Sequence, residues 1–100
     1  MQDGLTGKQR AYLRKLANPL DAILQLGKNG TAQEFVDAVN DALEARELVK
    51  ITVLNNCPES PREAAEVLSK RTRSECVQVI GKKIVLYRKN PEDPVIKVPK

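Results

Sequence analysis

A chain of 100 residues, 41% apolar and 30% charged, has the composition of one globular domain (1–100), with no signal peptide and no apolar run near the roughly 20 residues that cross a bilayer, so a cytoplasmic protein is expected. With no histidine and only two distant cysteines, Cys57 and Cys76, it lacks the usual general base, the CxxC pair of a zinc site and a disulfide framework; no catalytic residue, metal, cofactor or small-molecule substrate is expected. The net charge of +4 is unevenly spread, at +3 over residues 1–30, −4 over 31–60 and +5 over 61–100, which suggests one basic face that would attract a polyanion and one acidic face.

Thr6 with Gln9 forms a capping box that opens a helix. Tyr12, Leu13, Leu16 and Ala17 continue at helical spacing, with Lys8, Arg10, Arg14 and Lys15 on other positions of the same helix. Asn18-Pro19 should end it, because a residue before proline avoids the α region. The short apolar run Ala22 to Leu26 has strand length, and Gly27-Lys28-Asn29-Gly30 breaks it. Thr31 with Glu34 reads as a second capping box. Phe35, Val36, Val39, Ala42 and Leu43 continue its apolar stripe, with Asp37, Asp41 and Glu44 on the other side.

Leu48 to Leu54 alternates apolar and polar residues, the pattern of a half-buried strand. Ser60-Pro61-Arg62-Glu63 gives a third capping box with proline at the first helical position, and Ala64, Ala65, Val67 and Leu68 supply that helix with an apolar side. Glu75 to Ile80 and Lys83 to Arg88 are predicted strands joined at Gly81-Lys82 as a hairpin. Residues 89–100 contain three prolines and read as an extended tail, with a possible edge segment at Val95 to Val98. The order α-β-α-β-α-β-β implies an α/β fold, a single compact domain with a four-stranded mixed sheet and helices mainly on one face. The first three strands, linked through helices, should run parallel. Gln25, Lys50, Thr52 and Gln78 interrupt the strand patterns, so one sheet face should be incompletely covered.

The segment Gly27 to Gly30 carries the chemistry. Glycines allow positive φ and close approach of a ligand, and the N-terminus of the following helix suits a phosphate. A Gly-x-x-Gly loop that clamps nucleic-acid backbone is the device of KH domains, although two glycines three apart also make a plain tight turn. The segment has neither the Gly-x-x-x-x-Gly-Lys-Ser/Thr pattern of a P-loop nor the third glycine of a dinucleotide fingerprint. Gly27, Lys28, Asn29, Gly30 and Thr31 are therefore candidate RNA-backbone residues. Lys8, Arg14 and Lys15 would form a basic ridge, with Arg10 pointing elsewhere. Lys82 and Lys83 at the hairpin, and Lys70, Arg71 and Arg73 at the end of the third helix, have a competing explanation, because cations stabilise a helix C-terminus through the dipole. Tyr12, Phe35 and Tyr87 are read as core residues rather than a base-stacking platform.

The stretches Leu5-Thr6-Gly7-Lys8-Gln9-Arg10, Leu13-Arg14, Leu16-Ala17, Leu26-Gly27-Lys28-Asn29-Gly30, Glu47-Leu48-Val49-Lys50, Gln78 to Lys82 and Val85-Leu86-Tyr87-Arg88 together resemble the YhbY family, the stand-alone bacterial form of the CRM domain (chloroplast RNA splicing and ribosome maturation). The resemblance covers about residues 5 to 98. It implies a fold like the C-terminal domain of translation initiation factor three. It also implies RNA binding and, for the stand-alone bacterial members, association with ribosomal RNA of large-subunit precursors. By position it assigns Gly27, Lys28, Asn29 and Gly30 to the RNA loop, with Lys8, Arg14, Lys15 and Lys50 as the adjoining basic surface. Asn18 stands where the family often has histidine, and the tail after Arg88 matches poorly. A monomer is expected. Competing readings are a DNA-binding architectural protein and a protein–protein adaptor using Asp37, Asp41 and Glu44.

Overall fold

The computed structural model describes residues 4–99. The elements run α1 (Gly7–Ala17), β1 (Leu24–Leu26), α2 (Gln33–Arg46), β2 (Leu48–Val53), α3 (Pro61–Thr72), β3 (Glu75–Ile80) and β4 (Lys83–Tyr87). Among the described residues no helix is long and apolar enough to cross a membrane.

Two of the three helix starts follow local sequence. Thr6 and Gln9 exchange side-chain to backbone hydrogen bonds at 3.1 Å, and Ser60 and Glu63 do the same at 3.0 and 3.1 Å. Both pairs are capping boxes. The first helix stops where expected, but for a different reason. Asn18 keeps right-handed helical angles, so the stop comes from the missing N–H of Pro19 rather than from rejection of the α region. α2 departs further. Its N-cap is Ala32, with no side-chain cap, and the expected Thr31–Glu34 box does not form.

The sheet order is β1-β2-β4-β3. β1 pairs parallel with β2, and β4 lies antiparallel between β2 and β3. The first three strands therefore share a direction, as expected, yet β3 never touches the other two because β4 is inserted. A register shift between Cys76 and Gln78 marks a bulge in β3. Arg10 satisfies the carbonyls there, donating from one guanidinium nitrogen to Cys76 and Val77.

The period of two along each strand builds two cores. On one face Val36, Val39 and Leu43 of α2 and Ala64, Ala65 and Leu68 of α3 bury Leu26, Val49, Ile51, Val53, Ile84 and Leu86. On the other face α1 sets Leu13 and Ala17 on Leu48, Val77, Val85 and Tyr87. Two helices thus cover one face, and one covers part of the other. Tyr87 is buried and Phe35 packs on the first core, but Tyr12 is 36% exposed and is not a core residue. Cys57 and Cys76 are both half-buried free thiols.

No strand forms at Val95 to Val98. The tail is held by Glu47 instead. This residue ends α2 with φ at +66°, an unfavourable angle for a side chain with a Cβ, and it is buried. Its carboxylate accepts backbone N–H bonds from Asn90, Val95 and Ile96 at 2.7, 2.9 and 2.7 Å. Ile96 and Val98 then close over the α1 core. Burial alone would raise the Glu47 carboxyl, but the N–H bonds from Asn90, Ile96 and Val95 and the nearby Lys89 charge outweigh it, and the net shift is downward.

A lowered folded-state pKa stabilises above the unfolded carboxylate value and is lost as pH falls through the folded value. Glu47→Ala should cost on the order of 2 kcal/mol at neutral pH. Thermal melts should show that deficit shrinking below the ordinary carboxylate range, where the wild type also loses its latch.

Candidate nucleic-acid interface

β1 ends at Leu26, whose carbonyl accepts the N–H of Leu54 at 2.8 Å, and the chain then turns. Gly30 donates to the Gly27 carbonyl at 3.0 Å, so Lys28 and Asn29 are the two central residues of a closed turn. Both are exposed. The two glycines are not equivalent. Gly30 is buried with φ at +62°, and a Cβ there would lie 2.5 Å from Glu59 Oε1 and 3.1 Å from Pro58. Gly27 has ordinary angles, and a Cβ would meet Leu54 and Asn56 at 3.6 Å, a normal contact.

Glu59 fixes the end of the loop. Its carboxylate accepts the Thr31 N–H at 2.9 Å and the Thr31 hydroxyl at 2.5 Å. Arg71 of α3 adds a second tie, donating to the Thr31 carbonyl at 3.3 Å and to the Gln33 side chain. Thr31 is therefore committed to internal bonds through its N–H, its hydroxyl and its carbonyl. The Glu59 carboxylate thus sits at the Thr31 N–H, just ahead of the N-terminus of α2 that the sequence offered to a phosphate. What the loop offers outward is the Lys28-Asn29 tip. A depression of about 290 Å³ runs beside it, lined by Gln25, Gly27, Lys28, Gly30, Glu34 and Phe35 among others.

The basic residues sort into two classes. Arg10, Arg71 and Arg88 are structural. Arg88 donates to Asn40 Oδ1 at 2.9 Å and to the Thr72 carbonyl at 2.6 Å, which joins α2 to the end of α3. Lys8, Arg14, Lys15, Lys28, Lys82 and Lys83 are exposed, and Lys50 is half-buried. Lys8 and Lys15 are seven residues apart and share one side of α1, whereas Arg14 lies about 100° around the helix from Lys15. The ridge expected from sequence is thus a pair with Arg14 on its flank. The hairpin turn, whose lysines have a competing role on sequence grounds, lies near the loop. Val53 donates to the Lys82 carbonyl at 2.7 Å, so residues 81–83 project from the same sheet end as the loop. β1 and β4 are two strand spacings apart, roughly 10 Å.

Glu59 apart, the acidic stripe of α2 lies on the other face of the sheet. Glu34, Asp37, Asp41 and Glu44 recur along the exposed side of α2, which covers the sheet face opposite α1. Of these only Glu34 reaches the loop depression.

Residues 5–88 match the family model of the CRS1 / YhbY (CRM) domain. The chain belongs to the CRS1/YhbY (CRM) domain family. It is 46% identical over 95 residues to the protein of Bacillus subtilis named "Probable RNA-binding protein YqeI", covering 95% of this chain and 99% of that one. It is 32% identical over 88 residues to a Haemophilus influenzae protein named "RNA-binding protein", covering 88% and 89%. The solution structure of the hypothetical protein SAV1595 from Staphylococcus aureus superimposes with a TM-score of 0.80 at 49% identity, over 95% of this chain and 99% of that chain. The α/β architecture expected from the sequence is therefore that of this solved structure.

In this CRM domain the loop glycines should respond differently to substitution. Gly30→Ala forces a Cβ into a left-handed residue packed on Glu59, with at least about 1–2 kcal/mol lost to backbone strain alone. Gly27→Ala should be within about 0.5 kcal/mol of wild type. Urea denaturation of the two variants checks this. Equal losses would contradict the assigned geometry.

Proposed function

We propose that this CRM domain binds RNA backbone through the exposed tip of its Gly27–Gly30 loop and the lysines around it. On this reading it is a non-enzymatic, monomeric, cytoplasmic factor that associates with ribosomal RNA in precursors of the large subunit. The observation that carries it is the exposed Lys28-Asn29 turn in a chain whose relatives are named RNA-binding proteins.

The chemistry is neutralisation and positioning. Lys28, Lys82 and Lys83 at one sheet end, with Lys8, Arg14 and Lys15 on α1 and Lys50 on β2, face phosphates and release their counterions. Asn29, whose amide both donates and accepts, can bond phosphate or ribose oxygen beside Lys28. Gly27 and Gly30 shape the turn, and Thr31 supports it through Glu59. The phosphate rests against the tip of the turn, where Lys28 and Asn29 are exposed and the neighbouring Thr31 N–H is already taken by Glu59. The acidic stripe of α2 repels the same polyanion, so the domain approaches RNA in one orientation. No bond is made or broken.

Lys28→Glu combined with Lys8→Ala and Arg14→Ala should weaken RNA binding at least tenfold in gel-shift titrations. Circular dichroism should stay unchanged, because all three side chains are exposed. A folded triple variant with wild-type affinity would refute the site. Competition by duplex DNA at matched salt separates RNA recognition from general affinity for polyanions.

A further inference from the structure

The four residues that interrupt the strand patterns in the sequence fall on one surface. Strand register sets them in rows. Gln25 pairs with Thr52, Thr52 with Lys83, and Lys83 with Ile80, giving one row across all four strands. In the next row Lys50 pairs with Val85 and Val85 with Gln78. Val85 belongs to the core beneath α1, so both rows lie on the face that α1 only partly covers. Val85 is buried and marks the edge of that cover. Gln25, Lys83 and Ile80 are exposed, and Lys50, Thr52 and Gln78 are half-buried.

We infer that this open half of the sheet, centred on Gln25, Thr52, Lys83, Lys50 and Gln78, is a second contact surface that receives a single-stranded RNA segment continuing from the Gly27–Gly30 loop. The inference rests on the RNA-binding reading and adds a site to it.

Three observations choose the occupant. The first is charge. The two rows hold two lysines and no carboxylate, whereas the opposite side of the molecule carries the acidic stripe of α2. The second is hydrogen-bonding capacity. Two glutamine amides and one threonine hydroxyl each donate and accept, which suits base edges and the ribose 2′-hydroxyl more than a bare phosphate row. Ile80, 59% exposed, adds apolar surface at the edge for a base face. The third is continuity, because Gln25 also lines the depression beside Lys28.

A single strand fits better than a duplex. α1 rises about 10 Å beside the rows as a wall. A rigid duplex would meet that wall before its atoms reached the sheet, while an unpaired strand can lie along the shelf. Four-stranded sheets in RRM domains hold two or three bases by aromatic stacking. Here no aromatic residue stands in the rows, so contact is by hydrogen bonds and aliphatic packing.

The test compares two full-length variants with wild type on a fifteen-nucleotide mixed-sequence single-stranded RNA and on a hairpin of the same length. Gln25→Ala with Thr52→Val and Gln78→Ala removes the polar groups but no charge. It should weaken the single strand about tenfold with an unchanged slope of log affinity against log salt, and should leave the hairpin within twofold. Lys28→Glu should weaken both probes and flatten the slope. Amide chemical-shift mapping of wild-type protein with the same single strand guards against misfolding of the triple variant, and shifts at residues 25, 50, 52, 78 and 83 are expected. Wild-type affinity in the folded triple variant, or shifts confined to residues 27–31, would overturn the sheet contact while Lys28→Glu still supported the loop. If wild type bound neither RNA, the loop reading and this one would both fall.

Discussion

The Glu59 carboxylate is the contact on which the shape of the loop depends. It holds the N–H and hydroxyl of Thr31, and it packs so closely on Gly30 that no other residue fits that position without displacing it. With Arg71 gripping the Thr31 carbonyl from the other side, the far end of the turn is tied to α3 and to the loop before it. The turn is thereby pre-ordered, and its two exposed residues need lose little further freedom when a ligand arrives.

That contact also decides where an anion can sit. A helix N-terminus attracts phosphate through unpaired N–H groups and a partial positive charge. Here the Glu59 carboxylate holds the Thr31 N–H, one residue ahead of the N-cap Ala32, and sets a negative charge beside that terminus. Exposed lysines remain at the tip, at the hairpin and on α1, and these carry the attraction in the proposed reading. Such a surface gives sequence-independent, salt-sensitive affinity. In the proposed reading, discrimination between RNA shapes comes from groups beside it, and the polar rows on the open sheet supply candidates.

Features set by neighbours in sequence were legible in advance, and features set by distant partners were not. The capping boxes at Thr6 and Ser60 involve residues three apart, and both form. Thr31 with Glu34 has the same pattern, but Glu59, 28 residues on, competes for the Thr31 side chain and wins. Glu47 in a left-handed conformation has no sequence signal, because such positions normally select glycine. Its three partners lie 43 to 49 residues away. Tyr12 shares helical spacing with apolar neighbours yet falls off the buried side of α1. Lys82 and Lys83 come near the loop because β4 is inserted between β2 and β3, an arrangement that strand periodicity does not encode. The polar interruptions at Gln25, Lys50, Thr52 and Gln78 were legible as a partly open face, and register then showed that they form rows.

The most direct measurement is ultraviolet crosslinking of wild-type protein to bound RNA, with the modified peptides mapped by mass spectrometry. Crosslinks should concentrate in residues 24–31 and 78–88 and on α1, with none on the outer side of α2. Crosslinks centred on Glu34 to Glu44, with the loop unmodified, would contradict the claim that RNA lies against the Lys28-Asn29 tip.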